Sequence, residues 1–178
     1  MFTLRSLFQL ARGYLQKPVI SASRSVDFEF RCLPIDIDVF FHMNNSRYLQ
    51  NAELSRWRTL PASNLASRVA TKEGMMFLAV ENNIKYIRPI KSFESYVIST
   101  TVTVPEDTDK FLYYRHTFKE TGMPKEGGEP RLFADIKCKA VVKQKNGKTL
   151  KPSELIADSD FYQAWVQKEG KDEDMMRL

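Results

Sequence analysis

Hydrophobic and polar residues alternate one by one over Val26 to Leu33, with Val26, Phe28, Phe30 and Cys32 on one side and Asp27, Glu29 and Arg31 on the other. A period of two predicts a strand with one packed face and one wet face. The same alternation returns from Phe93 to Val104, through Tyr96, Ile98, Thr100, Val102 and Val104, and again from Phe111 to Phe118. It is most regular from Arg131 to Val142, where Leu132, Ala134, Ile136, Cys138, Ala140 and Val142 oppose Arg131, Asp135, Lys137 and Lys139. A fifth strand begins near Met76.

Two segments carry a helical period instead. Leu4, Leu7, Phe8, Ala11, Tyr14 and Leu15 form one stripe, Arg5, Gln9, Arg12 and Gln16 lie opposite, and Pro18 closes the segment. The second runs from about Asn44 to Leu60, with Asn44 or Asn45 as N-cap, Tyr48, Leu49 and Ala52 as its apolar face, and Arg56 interrupting that face. Shorter signals predict a helix over 63–69, a charged loop over 121–130, a hairpin turn at Asn146-Gly147 and a closing helix from Pro152 to Lys168. Strand, helix, then four strands pairing as a meander predict an α+β domain in which an antiparallel sheet curls around one long helix. The chain divides into an N-terminal helix over 1–18, the domain over 26–150, a C-terminal helix over 152–168 and a charged tail over 169–178.

Charge alters this picture at one end. The 178 residues hold 27 basic and 22 acidic side chains, a formal +5. Residues 1–25 contain Arg5, Arg12, Lys17 and Arg24 and no acid, which accounts for +4 and leaves +1 for the rest. A near-neutral body lacks the massed basic face that nucleic acid requires. The first helix is too short and too often interrupted by Arg and Gln to span a bilayer. Three readings of residues 1–17 stay open: a helix packed on the domain, a helix lying on an anionic membrane surface, or an Arg- and Ser-rich mitochondrial presequence. Two cysteines, Cys32 and Cys138, predict buried thiols in a reducing compartment: the cytoplasm, with or without membrane contact, with a mitochondrion as the alternative. Two histidines without metal-ligand spacing and no Gly-rich phosphate loop imply neither metal nor cofactor.

The informative stretch joins the first strand to the second helix: Pro34-Ile35-Asp36-Ile37-Asp38-Val39-Phe40-Phe41-His42-Met43-Asn44-Asn45-Ser46-Arg47-Tyr48. It resembles the loop of the hotdog-fold thioesterases, in which two aspartates one residue apart precede a histidine, paired asparagines and a tyrosine ahead of the central helix. The run Ile84-Lys85-Tyr86-Ile87-Arg88-Pro89 is similar to the family's strand ending in an Arg-Pro pair. The Leu-Pro opening, the His-Met-Asn-Asn run and the basic amphipathic N-terminal helix are similar to the branch of thioesterase superfamily member six and its bacterial relatives. The resemblance covers roughly residues 1–168. It implies a hotdog fold of five to six strands around a central helix, hydrolysis of acyl-CoA or a related acyl thioester, and a homodimer with its site at the interface. Asp38 and His42 of one subunit would then face the Asn82 to Tyr86 segment of the other.

Thioester hydrolysis needs a polarised carbonyl and an activated water or a carboxylate nucleophile. Unpaired N–H groups in the first turn of the second helix suit the carbonyl oxygen, and Asp38 stands where a base or nucleophile is needed. The bland alternative is an Asp that only caps its own turn. His42 either positions Asp38, touches the water or fixes the loop. Glu53 is a second candidate carboxylate, or the partner of Arg56 one turn on. Asn44 and Asn45 read as cap and loop-fixing groups near substrate, Tyr48 as core or acyl-pocket lining, and Asn82 and Asn83 as thioester or dimer contacts. Two departures stand out. Phe40 occupies the position of the Asn that plant acyl-carrier-protein thioesterases are proposed to use, and Phe41 stands where many relatives have Gly. They keep a second reading open, a non-catalytic hotdog protein that binds acyl groups or a partner.

Overall fold

The computed structural model describes residues 2–16, 18–21, 23–62, 74–104, 110–122, 128–157 and 159–166. The expected helix over 63–69, the centre of the 121–130 loop and the charged tail lie outside them. The elements are α1 (Phe2–Leu15), β1 (Val26–Arg31), a 3-10 turn (Pro34–Asp36), α2 (Asn45–Thr59), β2 (Met76–Tyr86), β3 (Ser95–Thr103), β4 (Phe111–Glu120), β5 (Leu132–Lys143), β6 (Thr149–Leu150), α3 (Pro152–Ala157) and α4 (Asp160–Trp165).

Each alternating stretch becomes a strand. Its apolar positions turn to one face, which buries Phe28, Tyr96, Ile98, Phe118, Ile136 and Cys138. All pairings are antiparallel, in the order β1-β3-β4-β5-β2, with β6 added to β5. This corrects the expected meander, because β2 pairs with β5 at the far edge and not with its sequence neighbour β3. α2 crosses the packed face between β1 and β2, so the chain re-enters the sheet on the other side of the strands it covers. The hairpin at Asn146-Gly147 is present. Gly147 takes φ +87°, and Asn146 Oδ1 accepts the Lys148 N–H at 2.9 Å. The single C-terminal helix is also corrected: it is two six-residue helices, the second opening at Ser159, whose carbonyl accepts the Gln163 N–H. α4 buries Trp165, whose Nε1–H donates to the Thr100 carbonyl at 3.2 Å, level with the start of β1.

α2 presents a mixed face to the sheet. Tyr48, Ala52 and Leu54 pack there, while Asn51 donates to the Tyr96 hydroxyl at 2.9 Å and Ser55 Oγ lies 3.1 Å from Thr100 Oγ1. His116 is fully enclosed under the same helix. Its Nε2 lies 2.9 Å from Arg56 Nη1 and its Nδ1 3.0 Å from Thr100 Oγ1. Because a guanidinium only donates, Nε2 accepts and Nδ1 carries the proton. Burial, together with the Arg56 charge, holds the His116 pKa well below its usual value, so the ring is neutral.

α1 packs along α2 and runs parallel to it. Arg5 lies 3.1 Å from Asn51 Oδ1 near one end, and Arg58 Nη2 lies 2.8 Å from Gln16 Oε1 near the other. Arg5 Nη1 also meets the enclosed carboxylate of Asp36 at 2.7 Å, and Asp36 Oδ2 accepts the Leu33 N–H. The surface α1 turns inward is its polar one, Ser6 and Gln9 being 5% and 7% exposed, whereas Leu4, Leu7, Phe8, Tyr14 and Leu15 are 55% to 84% exposed. Packing on the domain is thus achieved, with the stripe facing opposite to what amphipathic periodicity predicts.

Candidate active site

The loop before α2 is shaped by its own short hydrogen bonds. Asp36 is pinned by Arg5, with Arg47 Nε at 3.9 Å, and its carbonyl accepts the Asn44 N–H at 2.8 Å, which fixes the distance between the two aspartates and the helix start. Asp38 closes a turn with His42 by accepting the Phe41 N–H at 3.1 Å and donating its own N–H to the His42 carbonyl at 3.0 Å. One carboxylate oxygen of Asp38, Oδ1, accepts the Phe40 N–H at 2.9 Å, so the capping role is real and engages one of the two oxygens. Phe41 takes φ +61°, a left-handed conformation that glycine adopts without strain. The loop keeps the turn and accepts the strain.

Asn44 is the N-cap. Its Oδ1 accepts from the Ser46 N–H at 3.0 Å and its carbonyl from the Arg47 N–H at 2.8 Å. The Asn45 N–H, at the first helical position, is one of the amides that the helix itself cannot pair, and it points toward the positive end of the dipole. The Asn45 carbonyl receives the Tyr86 hydroxyl at 3.2 Å, tying the helix start to β2.

The other candidates separate. His42 is half-buried and holds the loop through its carbonyl and through a bridge to Lys91, which matches the loop-fixing role. Tyr48, read as core or acyl-pocket lining, takes a core position: it is buried against Tyr86 and Phe118, with its hydroxyl accepting the Ile90 N–H. Asn82 pairs with Cys138 and Asn83 with Lys137, so the two lie on opposite faces of β2, and both are exposed. Glu53 lies two turns into α2, accepting from Trp57 Nε1 at 3.4 Å, and Arg56, its expected partner, reaches down to His116.

Glu53 and Arg56 also line a cavity of about 310 Å³ between the second half of α2 and the start of β2, closed by Trp57, Leu60, Met75 and Phe77. Its walls are mainly apolar, as in sites that take a hydrophobic ligand. Sequence reasoning missed this cavity, which depends on β2 standing next to β5, and it missed Asp36 with Arg5, a contact across 31 positions. Cys32, below the loop, is a buried thiol whose pKa is pushed up to about 11 by burial and by the charges of Asp36 and Glu94.

Known proteins show the same design. The chain is 27% identical over 117 residues to Protein THEM6 of Xenopus laevis, a match covering 66% of this chain and 55% of that one. It is 25% identical over 118 residues to Protein THEM6 of Drosophila melanogaster, covering 66% and 60%. The matches thus span little more than half the length of those relatives. Among solved structures, the YbaW probable thioesterase from Escherichia coli superposes with a TM-score of 0.61 at 23% identity, covering 74% of this chain and 94% of that one. A 4-hydroxybenzoyl CoA thioesterase complexed with 4-hydroxybenzoyl CoA gives 0.63 at 16% identity, covering 77% and 99%. These likenesses establish the hotdog fold. The family model described as the thioesterase-like superfamily matches residues 32–165, from the end of β1 to the end of α4, and the chain belongs to that superfamily.

Proposed function

We propose that this chain hydrolyses acyl thioesters, with acyl-CoA as the substrate class. The observation that carries the reading is Asp38, fixed on a tight turn in the loop that leads into α2, with one carboxylate oxygen bound to the Phe40 N–H and the other not engaged by that turn. In the proposed reaction Asp38 takes a proton from water as its oxygen attacks the thioester carbonyl carbon. The Asn45 N–H donates to the developing oxyanion. The carbon–sulfur bond then breaks, and the proton held by Asp38 passes to the leaving thiolate, giving a carboxylic acid and a free thiol.

The acyl cavity begins near Glu53, eight residues and so about 12 Å along the helix from Asn45. One chain alone therefore does not bring cavity and carboxylate together. The open edge of β2, where Met76, Leu78 and Val80 are exposed, supports a two-fold pairing that brings a second chain's cavity and strand to the Asp38 loop. Light scattering at low micromolar concentration is expected to give twice the 20.7 kDa chain mass.

Hydrolysis is tested with a panel of acyl-CoAs of different chain length, reading released thiol. Asp38→Asn is expected to lose about 10²-fold or more in rate while remaining folded, and Glu53→Gln to keep most of it. The reverse pattern moves the carboxylate role to Glu53. The engagement of Asp38 Oδ1 in a cap favours the non-catalytic reading, and a wild type that binds acyl-CoA without releasing thiol establishes that reading instead.

A further inference from the structure

We infer that α1 and the adjoining loop form a docking surface for an anionic phospholipid membrane, with the helix lying in the lipid interface. The orientation of α1 carries the argument. A helix that only packed on the domain would bury its stripe of Leu and Phe, because that burial is its main source of stability. Here Ser6 and Gln9 turn inward beside Leu10, Arg5 reaches Asp36 and Gln16 reaches Arg58, and the arc of Leu4, Leu7, Phe8 and Leu15 is left outward. Leu4, Leu7, Phe8 and Leu15 protrude from a convex helix, and across a cleft from Phe8 stand the exposed Leu33 and Ile35. Protruding single side chains suit a fluid interface, which closes around them, better than a rigid protein surface, which must supply a matching pocket for each.

Charge points to the same occupant. The cleft between α1 and β1 has a volume of about 520 Å³ and is lined by three guanidiniums, Arg5, Arg12 and Arg31, against one carboxylate, Glu29. Arg5 is neutralised by Asp36. Arg12 stands over the Phe8 ring at 5.9 Å, and Arg31 donates to the Phe93 carbonyl, so neither guanidinium meets a carboxylate in these contacts. Basic groups seated directly behind an apolar face match an interface in which acyl chains lie beneath phosphate headgroups. Each such Arg near an anionic surface strengthens binding, and salt screens the effect. α1, at 14 residues, is too short to cross a bilayer, so the geometry is that of a helix lying on the membrane.

The test is flotation of the 178-residue chain with vesicles of phosphatidylcholine alone or with about a third phosphatidylserine. The wild type is expected to float with the mixed vesicles and to be released by high salt. Leu7→Glu with Phe8→Glu changes only exposed positions and is expected to weaken flotation at least about 10-fold, while unfolding temperature and the light-scattering mass stay unchanged. Arg12→Glu with Arg31→Glu is expected to abolish the preference for phosphatidylserine. Wild type that does not float, or a Leu7/Phe8 variant that floats equally well, overturns the inference. A Leu7/Phe8 variant whose mass halves overturns it too, by assigning this face to a second copy of the chain. Hydrolysis of soluble acyl-CoA by the Leu7/Phe8 variant separates this surface from the proposed active site.

Discussion

Gly13 offers the sharpest test of how α1 is held. A Cβ at this position would stand 2.3 Å from the Arg58 carbonyl oxygen and 3.1 Å from Pro61 Cγ. Ordinary carbon–oxygen contacts lie near 3.3 Å, so Gly13→Ala obliges α1 to retreat by about 1 Å. On an isolated helix the same change stabilises by about 1 kcal/mol. Here a retreat of that size stretches the 2.7 Å Arg5–Asp36 pair and the 2.8 Å Arg58–Gln16 bond together, and it opens a gap along the whole contact. Overpacking of this kind costs about 1–3 kcal/mol, and the loosened ion pair on an enclosed carboxylate adds to it. The net expectation is a loss of about 1–2 kcal/mol, which for a domain of this size lowers the unfolding temperature by roughly 2–8 °C. Amide hydrogen exchange provides the local reading, with faster exchange expected over α1. Leu15→Ala, at an exposed position of the same helix, is the control and stays within about 0.5 kcal/mol. If Gly13→Ala raises the unfolding temperature and α1 exchanges as slowly as before, the close approach of the two helices is not what holds α1.

Two further outcomes follow from the core and the loop. His116 is neutral in the folded chain and ordinary in the unfolded one, so its contribution is fully present above the usual histidine pKa of about 6.5 and is lost as pH falls below it. Urea midpoints measured from pH 8 to 5 should decline at up to about 1.4 kcal/mol per pH unit below that value, and a flat profile refutes the neutral buried ring. Phe41 is 74% exposed in a left-handed conformation, so Phe41→Gly removes strain of about 1–2 kcal/mol while restoring about 0.5–1 kcal/mol of unfolded-chain entropy. Thermal unfolding should show a net gain of about 0.5–1 kcal/mol, and a loss means that the Phe41 ring makes a stabilising contact.

Local periodicity made most of the elements legible. The alternation through Val26, Phe28 and Phe30 and through Ile136, Cys138 and Ala140 gives strands on the expected faces, because one side chain in two must meet the core. Alternation identifies a face but not a neighbour, so the placement of β2 beside β5 had to come from the structure. The stripe on α1 was equally plain, yet a stripe does not say which way it points. That direction depends on Arg5 finding Asp36, and the spacing of residues 31 apart carries no such signal. The loop was the easiest part to recognise, as its Asp, His and paired Asn lie within eight positions, whereas the cavity draws its wall from three separated segments, the end of α2, the start of β2 and Tyr114 of β4.

Helices lying side by side usually run in opposite directions, so that each partial positive end meets a partial negative one. α1 and α2 run the same way, which gathers both positive ends at the Asp36–Asp38 loop, with Arg5 adding a full charge there. The enclosed Asp36 carboxylate offsets this crowding and is a condition for the two helices to share a direction. The remaining field has a sign and a location: it favours negative charge just ahead of Asn45, where an ionised Asp38 and the oxygen of a reacting carbonyl would both lie. The N-terminal helix, which contributes no lining residue to the cavity, thereby adds to the positive potential at the loop, and a chain without it would lose that potential together with the Arg5 contact that holds Asp36.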